Sequence, residues 1–222
     1  MAFITGKFSS GFSETIIGTP ENDTISPLGG FDLVDGGAGI DTVLVLADRG
    51  QFAIRRDAKL TYIDTISSAS GGGDQLRLKN VERVNFNDTK LALDLAPNQS
   101  AGQAALLIGA VMGRDTLFTN KALMGVGIDL FDQGLSMVTL SGLIMRLPIW
   151  QDLAGGSSNT DIARYLLTKV HGVAPTGANL DAAVASINTG AEGDFLAQLA
   201  LSSANITRLD LVGISNQGLA FS

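Results

Sequence analysis

Three aspartates recur in the N-terminal part of the chain at intervals of nine residues, and each is followed two positions later by Ile or Val. They are Asp23, Asp32 and Asp41. Residues 36–44, Gly-Gly-Ala-Gly-Ile-Asp-Thr-Val-Leu, form a complete copy of the nonapeptide Gly-Gly-x-Gly-x-Asp-x-U-x, in which U is aliphatic. Ca²⁺ prefers about six to eight hard oxygens in a flexible geometry, so carboxylates beside turn carbonyls suit it. The spacing therefore predicts a calcium-binding repeat.

A turn and a short strand must position each of these aspartates. The Gly-Gly-x-Gly-x-Asp portion forms a tight turn, for which glycine is suited, and x-U-x forms a strand whose U residue lines an apolar interior. Alternate turns lie on the same side, so we expect Asp23 and Asp41 to share one site. Asp32 is expected at the opposite edge, with at most half a site. The predicted metal-binding residues are Asp23, Asp41, Asp32, Asp35, Gly18, Gly36, Gly37 and Gly39.

Only the third copy of the repeat is complete. Copy 18–26 has Thr-Pro-Glu where the pattern requires glycines, and copy 27–35 lacks both leading glycines. These departures exclude a long structure with many bound ions. Two hypotheses remain open. One is a calcium site that helps the N-terminal half to fold; the other is a degenerate repeat whose aspartates only bond their own turns.

The composition excludes several classes of protein. The 222 residues are 45% hydrophobic and carry a net charge of −7, so we expect a real core and no basic patch for nucleic acid. The absence of cysteine excludes disulfides, thiolate metal sites and cysteine catalysis. No Sec-type signal pattern is present at the N-terminus, and no run approaches the ~18 apolar residues of a membrane span. A soluble chain is therefore expected.

The sequence changes character near residue 97, which predicts an α+β fold with two domains. Residues 1–96 carry short runs rich in β-branched and aromatic residues between turns, and residues 97–222 carry apolar residues at helical spacing. The predicted strands, besides those of the repeats, are 42–47, 51–56, 59–65, 75–78, 81–85 and 90–95, with a loop at 67–73. The predicted helices are 100–112, 120–133, 136–147, 159–170, 179–188, 192–202 and one from 206 towards 216.

The helical half also repeats itself weakly. The segments around Gly113 and Gly172 are similar, and so are those around Gly134 and Gly190. We interpret them as two related three-helix units packed together, because one unit alone buries little surface. The four glycines are also the expected helix ends, and Ser100 is an expected N-cap.

These features resemble the RTX (hemolysin-type calcium-binding repeat) proteins of bacteria. The three copies within 18–44 carry the resemblance, and residues 74–94 resemble the strand pair that often closes a short RTX region. From residue 101 onward the chain resembles a helical domain of unknown function that is appended to RTX segments. Gly113-Arg-Asp, Asp132-Gln-Gly and Ser203-Ala-Asn match that domain in part, whereas its Gly-Leu-x-Tyr-Trp stretch is absent.

The resemblance implies a short RTX-like β-roll followed by an all-α helical bundle, with calcium as the bound ion. It also implies export by a type I ABC exporter through an uncleaved C-terminal signal, and therefore an extracellular, secreted or cell-surface protein. Residues 211–222 form a weakly amphipathic tail that fits such a signal. A last helix packed on the bundle fits the same residues equally well.

No catalytic residue is predicted, and we expect no enzyme activity. His171 is the only histidine and falls at a predicted helix end, where a capping or surface role is favoured over a general base. Trp150 follows Pro148 in an apolar context, which favours a core position over a platform for a sugar.

The sequence thus favours a secreted, non-enzymatic surface or matrix protein that binds calcium through its β-rich half. The helical half would mediate adhesion or self-association with a second copy or a surface partner. The alternative is an extracellular protein that binds a small ligand or glycan in a pocket of the helical half, near Trp150 and Tyr165.

Overall fold

The computed structural model describes residues 1–7, 13–57, 59–66, 74–211, 214 and 216–222. They form two compact units, of which one comprises Met1–Leu95 with Val212–Ser222 and the other comprises Ala96–Leu211. A β-rich N-terminal half is followed by a helical half, as the sequence predicts. The predicted second domain, 97–222, is wrong at its end, because the last residues belong to the β-rich unit. The predicted loop 67–73 lies outside the described residues.

The β-rich unit contains eleven strands in the described part of the chain, arranged in two sheets. They are β1 Phe3–Thr5, β2 Thr15–Ile17, β3 Thr24–Ser26, β4 Phe31–Asp35, β5 Thr42–Leu44, β6 Phe52–Arg56, β7 Thr61–Thr65, β8 Gln75–Lys79, β9 Arg83–Asn85, β10 Lys90–Ala92 and β11 Leu219–Phe221. The first sheet has the order β1-β3-β5-β9-β10-β11 and the second has the order β2-β4-β8-β7-β6.

Consecutive strands from β1 to β5 alternate between the two sheets, and each pairs in parallel with the next strand of its own sheet. We call one passage through both sheets a coil. The register places aliphatic residues of successive coils in two rows, which share one buried core. These rows are Ile4, Ile25, Val43 and Val84 in the first sheet and Ile16, Val34 and Leu78 in the second. The U residues of all three repeats therefore line the interior, as predicted.

The parallel part of each sheet ends in antiparallel strands. β6 and β7 form a hairpin that pairs with β8, and β9 pairs with β10. The chain returns to this unit at its end, where β11 pairs with β10. The predicted last helix, from 206 towards 216, is interrupted: α9 ends at Leu209, Asp210 has φ +49°, and Leu211 and Ile214 are again helical. Leu219 and Phe221 are buried on either side of half-buried Ala220, and this period of two suits a strand.

The helical unit contains nine helices among the described residues. They are α1 Ser100–Met112, α2 Thr116–Thr119, α3 Lys121–Asp132, α4 Met137–Met145, α5 Trp150–Ala154, α6 Asn159–His171, α7 Gly177–Asn188, α8 Glu192–Ala200 and α9 Ser203–Leu209. Helix α1 is buried along most of its length and lies at the centre of the unit. Gly109 of α1 lets the side chain of Leu209 approach closely. None of the described helices is long and apolar enough to cross a membrane.

The predicted ends of these helices are confirmed only in part. Gly113, Gly134, Gly172 and Gly190 all have positive φ at helix ends, as expected. The predicted cap Ser100 is wrong, because Gln99 occupies the N-cap position and makes no side-chain bond there. The relation between two three-helix units stays a prediction.

We expect Leu219→Ala to destabilise the β-rich unit by about 2–5 kcal/mol, because Leu219 is 1% exposed and its loss leaves a cavity beside β10. Urea unfolding followed by circular dichroism measures this loss. Ile17→Ala is the matched control, since Ile17 lies on β2 and is 70% exposed. Equal midpoints for Leu219→Ala and the unmodified protein would contradict the placement of β11.

Candidate metal centre

Acidic residues stack along the N-terminal ends of neighbouring strands in the first sheet. The register pairs Phe3 with Thr24, Thr24 with Thr42, and Thr42 with Arg83. The residues that immediately precede these strand positions are therefore also in register from coil to coil. They are Ala2, Asp23, Asp41 and Glu82.

Each of these acids accepts a hydrogen bond from the backbone of the preceding coil. The N–H of Ala2 donates to Oδ1 of Asp23 at 2.7 Å, and the N–H of Asp23 donates to Oδ1 of Asp41 at 2.8 Å. The N–H of Asp41 then donates to Oε2 of Glu82 at 2.9 Å. We call Asp23, Asp41 and Glu82 the acid ladder. The structure thus brings Asp23 and Asp41 together, as predicted.

Glu82 is the member of the ladder that the sequence prediction missed. It lies outside the glycine-rich copies, in the segment Asn80-Val-Glu-Arg83. The available signal was its position directly before a strand, which it shares with Asp23 and Asp41. Burial, followed by the charges of Asp41 and Asp94, raises the pKa of Glu82, and the bond from the N–H of Asp41 opposes this.

Asp23 and Asp41 differ in how their second oxygens are satisfied. Oδ2 of Asp23 accepts the N–H of Thr19 at 2.5 Å and its hydroxyl at 2.8 Å. These bonds, led by that from the Thr19 N–H, lower the pKa of Asp23. Oδ2 of Asp41 is buried and has no hydrogen-bond partner. Burial raises the pKa of Asp41, as do the charges of Asp23 and Asp35, although the bond from the Asp23 N–H opposes them.

The predicted glycines allow the turns of successive coils to stack closely. A Cβ on Gly18 would overlap the carbonyl oxygen of Gly36, and a Cβ on Gly36 would overlap that of Asn80. Gly37 and Gly39 have φ of +101° and +113°, which favour glycine. Their added Cβ atoms would lie 2.5 Å from the carbonyl oxygen of Thr19 and 2.8 Å from the backbone nitrogen of Asn22, respectively.

Asp35, the further predicted oxygen donor, is engaged by neighbouring side chains. Its Oδ2 pairs with Nζ of Lys79 at 2.6 Å, and its Oδ1 accepts from Nδ2 of Asn80 at 2.8 Å. The bond from Lys79 is the main reason that the pKa of Asp35 is lowered. Asp35 therefore serves to join β4 to β8 rather than to present free oxygens.

Asp32 lies near the N-terminal end of β4 in the second sheet, whereas the ladder lies in the first sheet. Its Oδ1 accepts the N–H of Glu14 at 3.1 Å, and its Oδ2 is buried without a partner. Burial raises the pKa of Asp32, and so do the charges of Glu14 and Asp74, while the bond from the Glu14 N–H opposes them. Asp32 is thus separate from Asp23 and Asp41, as predicted.

The residues of the ladder fit a cation that accepts backbone ligands. In the described ranges, no group of three or more His, Cys, Asp or Glu side chains is placed to hold a metal ion. Ca²⁺ does not require such a group, because backbone carbonyls are among its usual ligands. Oδ2 of Asp41 is unpartnered and lies 2.6 Å from the position that a Cβ on Gly36 would take, and the Asn80 carbonyl oxygen would overlap that Cβ. An unpartnered carboxylate oxygen and a turn carbonyl thus approach the same glycine closely.

The polar atoms of Trp150 and Tyr165 are used within the helical unit itself. Trp150 is buried and donates from Nε1 to the carbonyl of Met145, while the hydroxyl of Tyr165 donates to the carbonyl of Val111. Their rings meet edge to face at 6.4 Å. A groove of about 530 Å³ lies elsewhere, between α6, α7 and α8. Its lining includes Leu167, exposed His171, Asn179 and Phe195.

We expect Asp23 and Asp41 to affect stability in opposite directions in the presence of a chelator. A raised folded pKa means that the stabilising effect of Asp41 is present below its ordinary value of 3.8 and is lost as pH rises through the folded pKa. A lowered folded pKa means that the effect of Asp23 is present above 3.8 and is lost as pH falls through the folded pKa.

At pH ~7, Asp23→Asn should therefore lower the melting temperature, whereas Asp41→Asn should leave it unchanged or raise it. Both differences should shrink towards pH ~3. Thermal unfolding over this pH range measures them, with the exposed Asp48→Asn as control. A large loss of stability in Asp41→Asn at neutral pH would show that its buried oxygen is already satisfied.

Comparison with known proteins does not assign the chain to a family. No protein-family model matches the chain, and no curated protein matches it. The case for a function therefore depends on the ladder and the turns that hold it.

Proposed function

We propose that the chain is an extracellular, non-enzymatic surface or matrix protein whose β-rich unit is a short RTX-type roll stabilised by Ca²⁺. The observation that carries the proposal is the acid ladder, in which Asp41 keeps a buried oxygen without a partner. The alternation of parallel strands between two sheets and the inward U residues support a roll. The close approach of a carboxylate oxygen and a turn carbonyl to the same glycine supports the ion, because Ca²⁺ takes both kinds of oxygen as ligands.

The energetic role of the ion follows from the burial of Asp41. Leaving a buried acceptor unsatisfied costs about 1–3 kcal/mol, and more for a charged one. A bound Ca²⁺ supplies positive charge and coordination positions for such an oxygen. Asp41 and the turn carbonyls come together only when the coils have stacked, so ion binding and folding of the unit are coupled.

Secretion through a type I exporter is consistent with this coupling. An unfolded chain has no stacked ladder and would gain its ion only where calcium is abundant, outside the cell. The C-terminal residues Leu219–Phe221 are paired with β10 in the folded protein. A signal in this segment is therefore accessible to an exporter before the β-rich unit folds, and is covered afterwards.

A role in adhesion or self-association is supported by apolar side chains exposed on the helical unit. Val138 and Leu143 of α4 are 43% and 52% exposed, and Leu147, just beyond the helix, is 45% exposed. Large apolar side chains that remain exposed provide surface for interaction with other proteins. We therefore assign the calcium-stabilised unit to anchoring the fold and the helical unit to contacts with other copies or surfaces.

Calcium is expected to raise the thermal stability of the β-rich unit. At a free concentration about 100 times the Kd, one bound ion adds about 2.7 kcal/mol, which corresponds to a shift of about 10 °C. Differential scanning calorimetry in CaCl₂ and in chelator measures the shift. MgCl₂ is the control, because Mg²⁺ demands a stricter octahedral geometry and should give a smaller effect. Identical midpoints in calcium and chelator would refute the proposed calcium site.

Self-association is expected in calcium and should be lost on addition of chelator. Leu143→Lys should reduce the oligomeric fraction in calcium, because it places a charge among the exposed apolar residues of α4. Sedimentation velocity measures this fraction. Val173→Lys, at another exposed apolar position of the helical unit, is the control. A monomer under all conditions would argue against self-association and leave adhesion to a different surface as the role of this unit.

A further inference from the structure

Two sites of close contact, each formed by a glycine, a carboxylate oxygen and a turn carbonyl, lie one above the other along the acid ladder. The first is bounded by Gly18, Oδ2 of Asp23 and the carbonyl of Gly36, and we call it the upper cradle. A Cβ on Gly18 would overlap that carbonyl and lie 3.1 Å from Oδ2 of Asp23. The second, the lower cradle, is bounded by Gly36, Oδ2 of Asp41 and the carbonyl of Asn80. A Cβ on Gly36 would overlap that carbonyl and lie 2.6 Å from Oδ2 of Asp41.

The upper cradle is closed by the protein itself. Thr19 donates both its N–H and its hydroxyl to Oδ2 of Asp23, and Ala2 donates its N–H to Oδ1. Both oxygens of Asp23 are therefore used without any ion. Thr19 takes the second position of the first copy, where the repeat pattern has glycine.

The lower cradle leaves its carboxylate oxygen, Oδ2 of Asp41, without a donor. Gly37 takes the position that corresponds to Thr19 and has no side chain to donate a hydrogen bond. Asp41 is 0% exposed, and its Oδ2 has no partner. The nearby cations are engaged with other acids, since Lys79 pairs with Asp35 and Arg83 pairs with Asp94 inside the unit.

Glu82 completes the lower cradle from the closing strand. Only Val81 separates it from Asn80, whereas four residues separate Gly36 from Asp41. This short connection is possible because Asn80 has φ of +49°, an uncommon value for a residue with a side chain. The longer side chain of Glu suits the shortened turn, and its Oε2 already meets the N–H of Asp41 at 2.9 Å.

We propose that the cation binds in the lower cradle, where Asp41, Glu82 and the carbonyl of Asn80 are its ligands, and that Asp23 is not a ligand. This inference rests on the proposed function, because it names the ligands of the same calcium-stabilised unit. It differs from the pairing of Asp23 with Asp41 that the nine-residue period predicts. It also makes Glu82, a residue outside the glycine-rich copies, a metal ligand.

Isothermal titration of the full chain with CaCl₂ tests the assignment with isosteric variants. Asp41→Asn and Glu82→Gln should each raise the Kd for calcium at least tenfold, because each removes a ligand charge. Both amides retain an oxygen that can accept the ladder hydrogen bond from the preceding coil. Asp23→Asn should change the Kd by less than about threefold. The exposed Glu21→Gln is the matched control on the same turn.

Thr19→Val gives a second measurement that does not remove a carboxylate. It deletes only the hydroxyl that bonds Oδ2 of Asp23. If Asp23 were a ligand, removal of this competitor would tighten calcium binding; we expect the Kd to stay unchanged. Circular dichroism and urea unfolding in chelator establish that each variant is folded before titration.

The possible results separate this inference from the proposed function. No heat and no thermal shift with the unmodified protein would refute the calcium function itself. Calcium binding that survives Glu82→Gln, or that is lost in Asp23→Asn or tightened in Thr19→Val, would overturn the lower-cradle assignment while leaving the function intact. Loss in Asp41→Asn and Glu82→Gln, with Asp23→Asn unaffected, is the result that supports it.

Discussion

The register between successive coils is the constraint on which the β-rich unit depends. It places the N–H of one coil opposite the carboxylate of the next at Ala2, Asp23, Asp41 and Glu82, and it places the U residues in continuous buried rows. A slip by one residue would turn those aliphatic side chains outward and separate every carboxylate from its donor. The same register buries the carboxylates of Asp23 and Asp41, because each lies two positions before an inward aliphatic residue and therefore on the same face. Burial of the aliphatic rows and formation of the ladder hydrogen bonds therefore depend on the same register.

Much of this arrangement could be predicted from spacing alone. The nine-residue period defines the strands β3, β4 and β5, the inward direction of Ile25, Val34 and Val43, and the separation of Asp32 from Asp23 and Asp41. The period is informative because glycine turns and alternating side-chain direction leave few alternatives. β1, β2 and β11 carry no glycine pattern, are only three residues long, and are paired with partners distant in sequence. Local propensity does not identify such strands. Glu82 was missed because it also lies outside the glycine-rich copies.

In the helical unit, the sequence predicts the positions of the helices better than the position of a ligand groove. Apolar periodicity predicts the positions of most helices, since each must bury one face, and the glycines with positive φ mark their ends. Apolar periodicity does not predict where a ligand groove lies. Trp150 and Tyr165 are close, yet their polar atoms bond backbone carbonyls, and the groove opens between α6, α7 and α8 instead. Trp150 is buried, as its apolar context predicts, but the position of a groove depends on how the helices pack, and the sequence of each helix does not contain that information.

On the proposed assignment, the two hypotheses that the sequence left open, a calcium site and a degenerate repeat, apply to different coils of one ladder. Where the repeat departs from its pattern, at Thr19, the hydroxyl and N–H satisfy Asp23 internally, and this coil is complete without an ion. Where the pattern is intact, at Gly36 and Gly37, Asp41 is left with a buried oxygen that the chain does not satisfy. The departure from the pattern thus supplies a side-chain donor to Asp23, whereas the intact pattern leaves Asp41 without one. Because the unsatisfied coil lies beside the closing strand, a bound cation would join the repeats to the segment that ends them.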